Sequence, residues 1–243
     1  MKTEGGTPAA KRRAGERAAE EVEDGFVVGL GTGSTTASAI EAIGEAVADG
    51  LEVQGIPTSF QSRQLALEVG IQLTTLEAVE TVDLAIDGAD QIVDDPGSSA
   101  HGTLIKGGGA AHAREKLVDA AADRFVVVAD PSKLTDRLER SVPLEVLPDA
   151  YTVVTARVHE LGGEPTLREA KRKDGPVVTD NGNLVLDCEF GAIADPEELA
   201  ATLSSVPGVV EHGLFVDLAD ATYVGLEEGT GDADGEGLAV REY

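Results

Sequence analysis

The sequence predicts an α/β chain with a second, smaller α+β domain, and three observations carry that expectation. Short β-branched runs alternate with helical stretches through the first half, and each glycine cluster there follows a strand. After Lys133 the order of elements changes to β-α-β-β-α-β.

Taken in order, the period of apolar residues predicts a helix over 11–22, a strand over 26–30 and a helix over 34–48, where Ile40, Ile43 and Val47 share one face. Strands follow at 51–56, 82–86, 101–105 and 125–129, with helices at 59–69 and 110–122 between them. This alternation argues for a Rossmann-like, mostly parallel sheet with helices on both faces. In the second half, strands at 143–147, 166–170, 184–188 and 209–214 and helices at 151–161 and 196–204 give the split βαβ order of a ferredoxin-like domain. The expected boundaries are 1–138, completed by 215–243, for the catalytic domain and 139–214 for the smaller one. The apolar run 222–226 is placed to return to the first sheet, and the Gly- and Asp-rich stretch 227–236 reads as a solvated loop.

At 243 residues the chain is long enough for a real core, and 42% of its residues are hydrophobic. Against 45 Asp and Glu stand 19 Lys and Arg, a net charge of −26. Nucleic-acid binding and docking to anionic membranes both need a surplus of positive charge, so neither is expected. So acidic a composition resembles that of proteins from salt-loving organisms, in which molar salt screens self-repulsion. The lone Cys188 excludes an internal disulfide and paired-cysteine zinc sites. The first twenty residues lack the apolar core of a signal peptide, and no run approaches a membrane span, so a cytoplasmic location is expected.

Four segments carry chemistry. In Gly29-Leu30-Gly31-Thr32-Gly33-Ser34-Thr35, a strand-to-helix turn offers glycine backbone, free N–H groups and hydroxyls to a phosphate. The segment reads equally as a tight turn capped by Ser34, while the dinucleotide fingerprint lacks its third glycine. Asp87-Gly88-Ala89-Asp90 follows a strand and sets two carboxylates on a turn, suited to moving protons or simply to making an Asp-Gly turn. Lys106-Gly107-Gly108-Gly109 is an open run of backbone donors with a cation at its mouth, in a chain of only seven Lys. The helix after it carries Glu115, either a base aimed at a substrate carbon or a solvated helix residue. Asp130-Pro131-Ser132-Lys133 ends another strand and offers Lys133 as an anion contact or a solvated cation. His101, His112, His159 and His212 show no metal spacing and read as structural, and no metal site is expected.

Together these strings resemble the ribose-5-phosphate isomerases of the A type. GLGTGST at 29–35, DGAD at 87–90, KGGG at 106–109, REK at 114–116 and DPSK at 130–133 stand in the family's order. PLEVLP at 143–148 and VTDNGNLVLD at 178–187 continue it into the smaller domain. The resemblance implies interconversion of ribose 5-phosphate and ribulose 5-phosphate without metal or organic cofactor. By position it makes Glu115 the base and Asp87 the carboxylate that handles hydroxyl protons, with Gly88, Ala89 and Asp90 beside it. It makes Lys106 the cation near the developing oxyanion. Lys11, Thr32, Gly33, Ser34, Thr35, Gly107, Gly108, Gly109 and Lys133 match the substrate-binding shell. It implies a small-molecule sugar phosphate as partner, with neither nucleic acid nor membrane, and a homodimer or homotetramer. Gln91 stands where the family commonly has an acid, and 94–101 reads as an extended loop. A sugar-phosphate-sensing regulator on the same fold is the rival from another class, and its expected loss of the base is not seen, since Glu115 and Asp87 are both present. A nucleotide-dependent oxidoreductase comes third, weakened by the incomplete glycine fingerprint.

Overall fold

The computed structural model describes residues 5–172, 174–227 and 237–243. The stretch 227–236 read as a solvated loop lies, apart from Glu227, outside the described residues. Two compact units divide the chain: a larger one of 5–89, 114–134, 218–227 and 237–243, and a smaller one of Asp90–Ala113 and Thr135–Asp217. The expected boundary at 138/139 leaves 90–113 with the larger domain, whereas the compact units have these residues in the smaller.

The larger unit is a seven-stranded sheet. Across it lie Leu238–Glu242, Ala221–Gly225, Phe125–Ala129, Leu84–Gly88, Val27–Leu30, Gln54–Pro57 and Gln72–Leu73. All neighbours pair parallel except the first two. The run at 222–226 therefore does return to this sheet, as Ala221–Gly225. Val27–Leu30 pairs on one side with the next strand in sequence and on the other with Leu84–Gly88, Gly29 standing opposite Ala85. The strand order reverses there, and the carboxyl ends at such a reversal open a crevice suited to ligands.

Local chemistry fixes the helices of this unit. Pro8–Ala19 starts on Thr7, whose side chain accepts from the Ala10 N–H, with proline in the first turn where its missing N–H costs nothing. Phe60–Glu68 starts on a reciprocal capping box between Ser59 and Ser62. Ser34–Ala48 buries Ala39, Ile40 and Ile43 in a core shared with Val28, Leu30, Leu84, Ile86, Val126 and Val128.

The smaller unit holds an antiparallel sheet in the order Glu164–Leu167, Leu184–Glu189, Val142–Val146, Val209–His212. Helices Tyr151–Glu160 and Pro196–Ser204 complete the β-α-β-β-α-β order. Their buried faces, including Val154, Val158 and Leu203, join Leu144, Val146, Leu186 and Cys188 in one core. Glu145 is fully buried in the inner strand Val142–Val146, and its Oε1 accepts from Thr179 Oγ1, Asn181 Nδ2 and Asn183 Nδ2 at 2.8–3.0 Å. That cluster ties the 143–148 and 178–187 motifs together.

Several expectations are corrected. The lysine-bearing strand is only Leu104–Ile105, because Ala100 to Thr103 turns on hydrogen bonds such as Thr103 N–H to Ala100 O. It belongs to a second small sheet with Leu214–Phe215, Gln91–Val93 and Leu134–Thr135. The helix expected over 110–122 is confined to His112–Asp119, and Ala110 before it has φ +62°, which no α-helix accommodates. The first helix starts three residues earlier than expected, at Pro8, since Thr7 and Pro8 supply a better start than Lys11.

Candidate active site

The strand expected to end at Ile86 runs on through Asp87 and Gly88, which pair with Val127 and Val128. The apolar pattern stops at Ile86 but the backbone ladder does not, so the Asp-Gly turn reading fails. Asp87 is therefore a fully buried carboxylate on a rigid central strand. Its Oδ1 accepts from the N–H of Thr32 at 2.9 Å and from the N–H of Gly88 at 2.6 Å.

Gly31 makes this approach possible, since a Cβ there would stand 2.1 Å from Asp87 Cγ. Thr32 also donates from Oγ1 to Ser59 Oγ at 2.7 Å and lies 3.1 Å from Thr58 Oγ1. The hydroxyls of 57–59 thus join the glycine loop. Gly33 follows with φ +132°, and Ser34 opens the long helix beyond it with its side chain exposed. Gly33 is the N-cap and makes no side-chain capping bond, so the expectation of Ser34 as the cap is corrected. Thr35, by contrast, is buried.

Glu115 is 3% exposed and sits in the first turn of His112–Asp119, nearer the start of its helix than its sequence position suggests, because that helix begins late. A carboxylate there is favoured by the helix dipole. Lys133 ends the short 3₁₀ turn Pro131–Lys133, which Asp130 caps by accepting the Ser132 N–H at 2.9 Å. Lys11 lies in the first helix, half-buried.

The smaller unit holds the remaining candidates. Lys106 is buried, its Nζ 5.2 Å from the centroid of the Phe215 ring, and its backbone N–H donates to Gly213 O. Gly107 has φ +103°, and a Cβ on it would come within 2.8 Å of His112 Nδ1, so glycine is required twice over. Asp90 Oδ2 accepts the Gly108 N–H at 2.7 Å. The expected site residues therefore fall into two groups, Lys11, Thr32–Thr35, Asp87–Ala89, Glu115 and Lys133 in the larger unit and Asp90 and Lys106–Gly109 in the smaller. Gln91 takes no place among them, its Oε1 instead accepting the N–H groups of Glu139 and Arg140. Among the described residues no group of His, Cys, Asp or Glu is arranged to hold a metal ion. No helix among the described residues is long and apolar enough to cross a membrane.

One functional candidate escapes the sequence reading. Arg168 donates from Nη1 to the carbonyls of Gly107 and Gly108, at 2.9 and 3.3 Å, and grips the Asp187 carboxylate through Nε and Nη2. Its only sequence signal is that Asp187 closes the VTDNGNLVLD string.

The family model described as Ribose 5-phosphate isomerase A (phosphoriboisomerase A) matches residues 54–229. The Ribose-5-phosphate isomerase A of Halorubrum lacusprofundi is 65% identical over 234 residues, covering 94% of this chain and 98% of the relative. That of Natronomonas pharaonis is 66% identical over 229 residues, with the same coverage. Among solved structures, ribose 5-phosphate isomerase A from Methanocaldococcus jannaschii superposes with a TM-score of 0.86 at 41% identity, covering 96% of this chain and 98% of that one. A D-ribose-5-phosphate isomerase in complex with phospho-erythronic acid superposes with a TM-score of 0.89 at 38% identity, covering 98% and 100%.

Proposed function

The chain belongs to the ribose 5-phosphate isomerase A family, and we propose that it interconverts D-ribose 5-phosphate and D-ribulose 5-phosphate through an enediolate, with the residue roles that follow. A proton beside a carbonyl is weakly acidic, so the reaction needs a base at contact distance and fixed positive charge for the enediolate oxygen. Glu115 is the base and carries the proton between C2 and C1. Asp87 exchanges hydroxyl protons and assists ring opening. Lys106 offsets the oxyanion charge, and Asp90 orders the glycine loop that follows Lys106.

Thr32, Gly33, Ser34 and Thr35, with Gly107–Gly109, Lys11 and Lys133, bind the sugar phosphate. Backbone N–H groups at a helix start suit its dianionic end. The mechanism uses no metal or organic cofactor. The protein is read as a cytoplasmic homodimer or homotetramer. The observation that carries the assignment is the buried Asp87 carboxylate, fixed by the Thr32 and Gly88 N–H groups where the strand order reverses.

A coupled assay for ribulose 5-phosphate, run at several salt concentrations before and after dialysis against EDTA, tests it. Turnover that survives dialysis is expected. Absence of turnover at every salt concentration overturns the activity, and loss on dialysis overturns the cofactor-free mechanism.

A further inference from the structure

We propose that Arg168 is a positioning residue for the Gly107–Gly109 loop, aimed by Asp187; this rests on reading that loop as part of the substrate-binding shell. A loop of three glycines has no side chains to set its direction; the Ala110 N–H closes the turn onto Gly107 O at 3.0 Å, and further grip on its peptide planes comes from outside. Arg168 and Asp90 hold them. The peptide between Gly107 and Gly108 is gripped at both ends, its carbonyl by Arg168 Nη1 and its N–H by Asp90 Oδ2.

The next peptide is gripped at its carbonyl alone, again by Arg168 Nη1. Because a trans peptide points its N–H opposite to its C=O, that bond directs the Gly109 N–H away from Arg168. Gly109 is an exposed residue, and in this proposal its N–H is a donor for an anionic oxygen of the substrate. A guanidinium on the carbonyl side also polarises both peptides and strengthens their N–H groups as donors.

Arg168 is itself held by a two-point contact with Asp187 and has only 12% of its side chain exposed. Lysine cannot reproduce that geometry, since one ammonium does not span a carboxylate and two carbonyls in a plane.

The test uses the full chain in molar salt and compares R168A, R168K and D187N with R157A, whose exposed pair with Glu160 lies apart from the loop. R168A is expected to raise KM for ribose 5-phosphate about 10- to 100-fold, as loss of a charge-assisted contact would. Its kcat should fall less. R168K should recover part of the loss, added methylguanidinium should restore R168A saturably, and R157A should match the parent. D187N should shift KM in the same direction, and less than additively when combined with R168K. KM within about twofold of the parent in folded R168A and D187N overturns the proposal. If R168A does not fold, an unchanged KM in R168K overturns it equally. Amide exchange at Gly108 is independent of the activity: it should quicken in R168K, and unchanged exchange overturns the clamp even if the parent has no turnover on ribose 5-phosphate, an outcome that would count against the functional reading instead.

Discussion

The N–H of Thr32 donates to Asp87 Oδ1 at 2.9 Å, joining the end of one parallel strand to its neighbour. The contact needs a residue without a side chain at 31, because a Cβ there would stand 2.1 Å from both Asp87 Cγ and Oδ1. Asp87 is fully buried and cannot swing into solvent. Gly31→Ala is therefore expected to push the carboxylate off its donors, lowering turnover by at least about tenfold and stability by about 1–3 kcal/mol, the usual cost of overpacking. Kinetics and urea unfolding of the variant check this; parent-like turnover would show that the Thr32 to Asp87 bond has no part in the reaction.

Glu115 is 3% exposed in the first turn of a short helix. Glu115→Gln keeps the shape and removes the basic oxygen. Turnover should drop by at least about 10²-fold, the usual contribution of a positioned base, while a phosphorylated four-carbon acid still binds. Titration calorimetry with that acid, beside the kinetics, separates the two effects. Near-normal turnover removes Glu115 from the role of base.

The glycine strings could be read from sequence because their constraint is local: a turn between a strand and a helix, or a loop whose backbone must come close to something, shows itself in a few consecutive residues. The split βαβ was legible for a similar reason, since its strands and helices each bury one periodic face. The apolar run ends at Ile86 while the strand continues through Asp87 and Gly88, because apolar pattern marks burial whereas a ladder needs only N–H and C=O groups. Strands as short as Leu104–Ile105 and Gln72–Leu73 have too few residues to show a period. Arg168 is nearly illegible for a different reason: beyond Asp187 in the VTDNGNLVLD string, its partners are backbone carbonyls 60 and 61 residues away, and a carbonyl has no sequence signature.

Cys188 should be inert in the folded protein. It is fully buried in Leu184–Glu189, and burial, with the Asp187 carboxylate beside it, pushes its thiol up to about 12 from an ordinary value of 9.0. At pH 8 a disulfide reagent should fail to label the native chain and label it fully in denaturant. The raised value also has a stability consequence. The folded state keeps its proton longer than the unfolded chain does, so the thiol's contribution is intact below about pH 9 and is lost as pH rises toward 12. The urea midpoint of Cys188→Ala should therefore decline less steeply than the parent's over that window, and parallel declines would contradict the assignment.

Salt should stabilise this protein, and the sign follows from counting. Even if all 19 Lys and Arg were paired with acids, 45 − 19 leaves 26 carboxylates without a cation. The pairs that do form include Arg17–Glu20, Arg157–Glu160 and Arg124 between Glu21 and Glu242, all at least partly exposed and so worth about 0–1 kcal/mol each. Salt weakens these attractions and the repulsion among the excess carboxylates alike, and the repulsive set is the larger. The screening length falls from about 30 Å at 0.01 M to about 3 Å at 1 M, so at the upper concentration only touching charges still interact. The thermal midpoint followed by circular dichroism should accordingly fall as salt is lowered across that range. Lys106 is buried against Phe215, and its contacts should be screened much less than the surface charges. KM for the sugar phosphate should therefore change less with salt than stability does, down to the concentration at which the fold itself is lost. A midpoint that does not move with salt would mean that the carboxylates repel too weakly to matter.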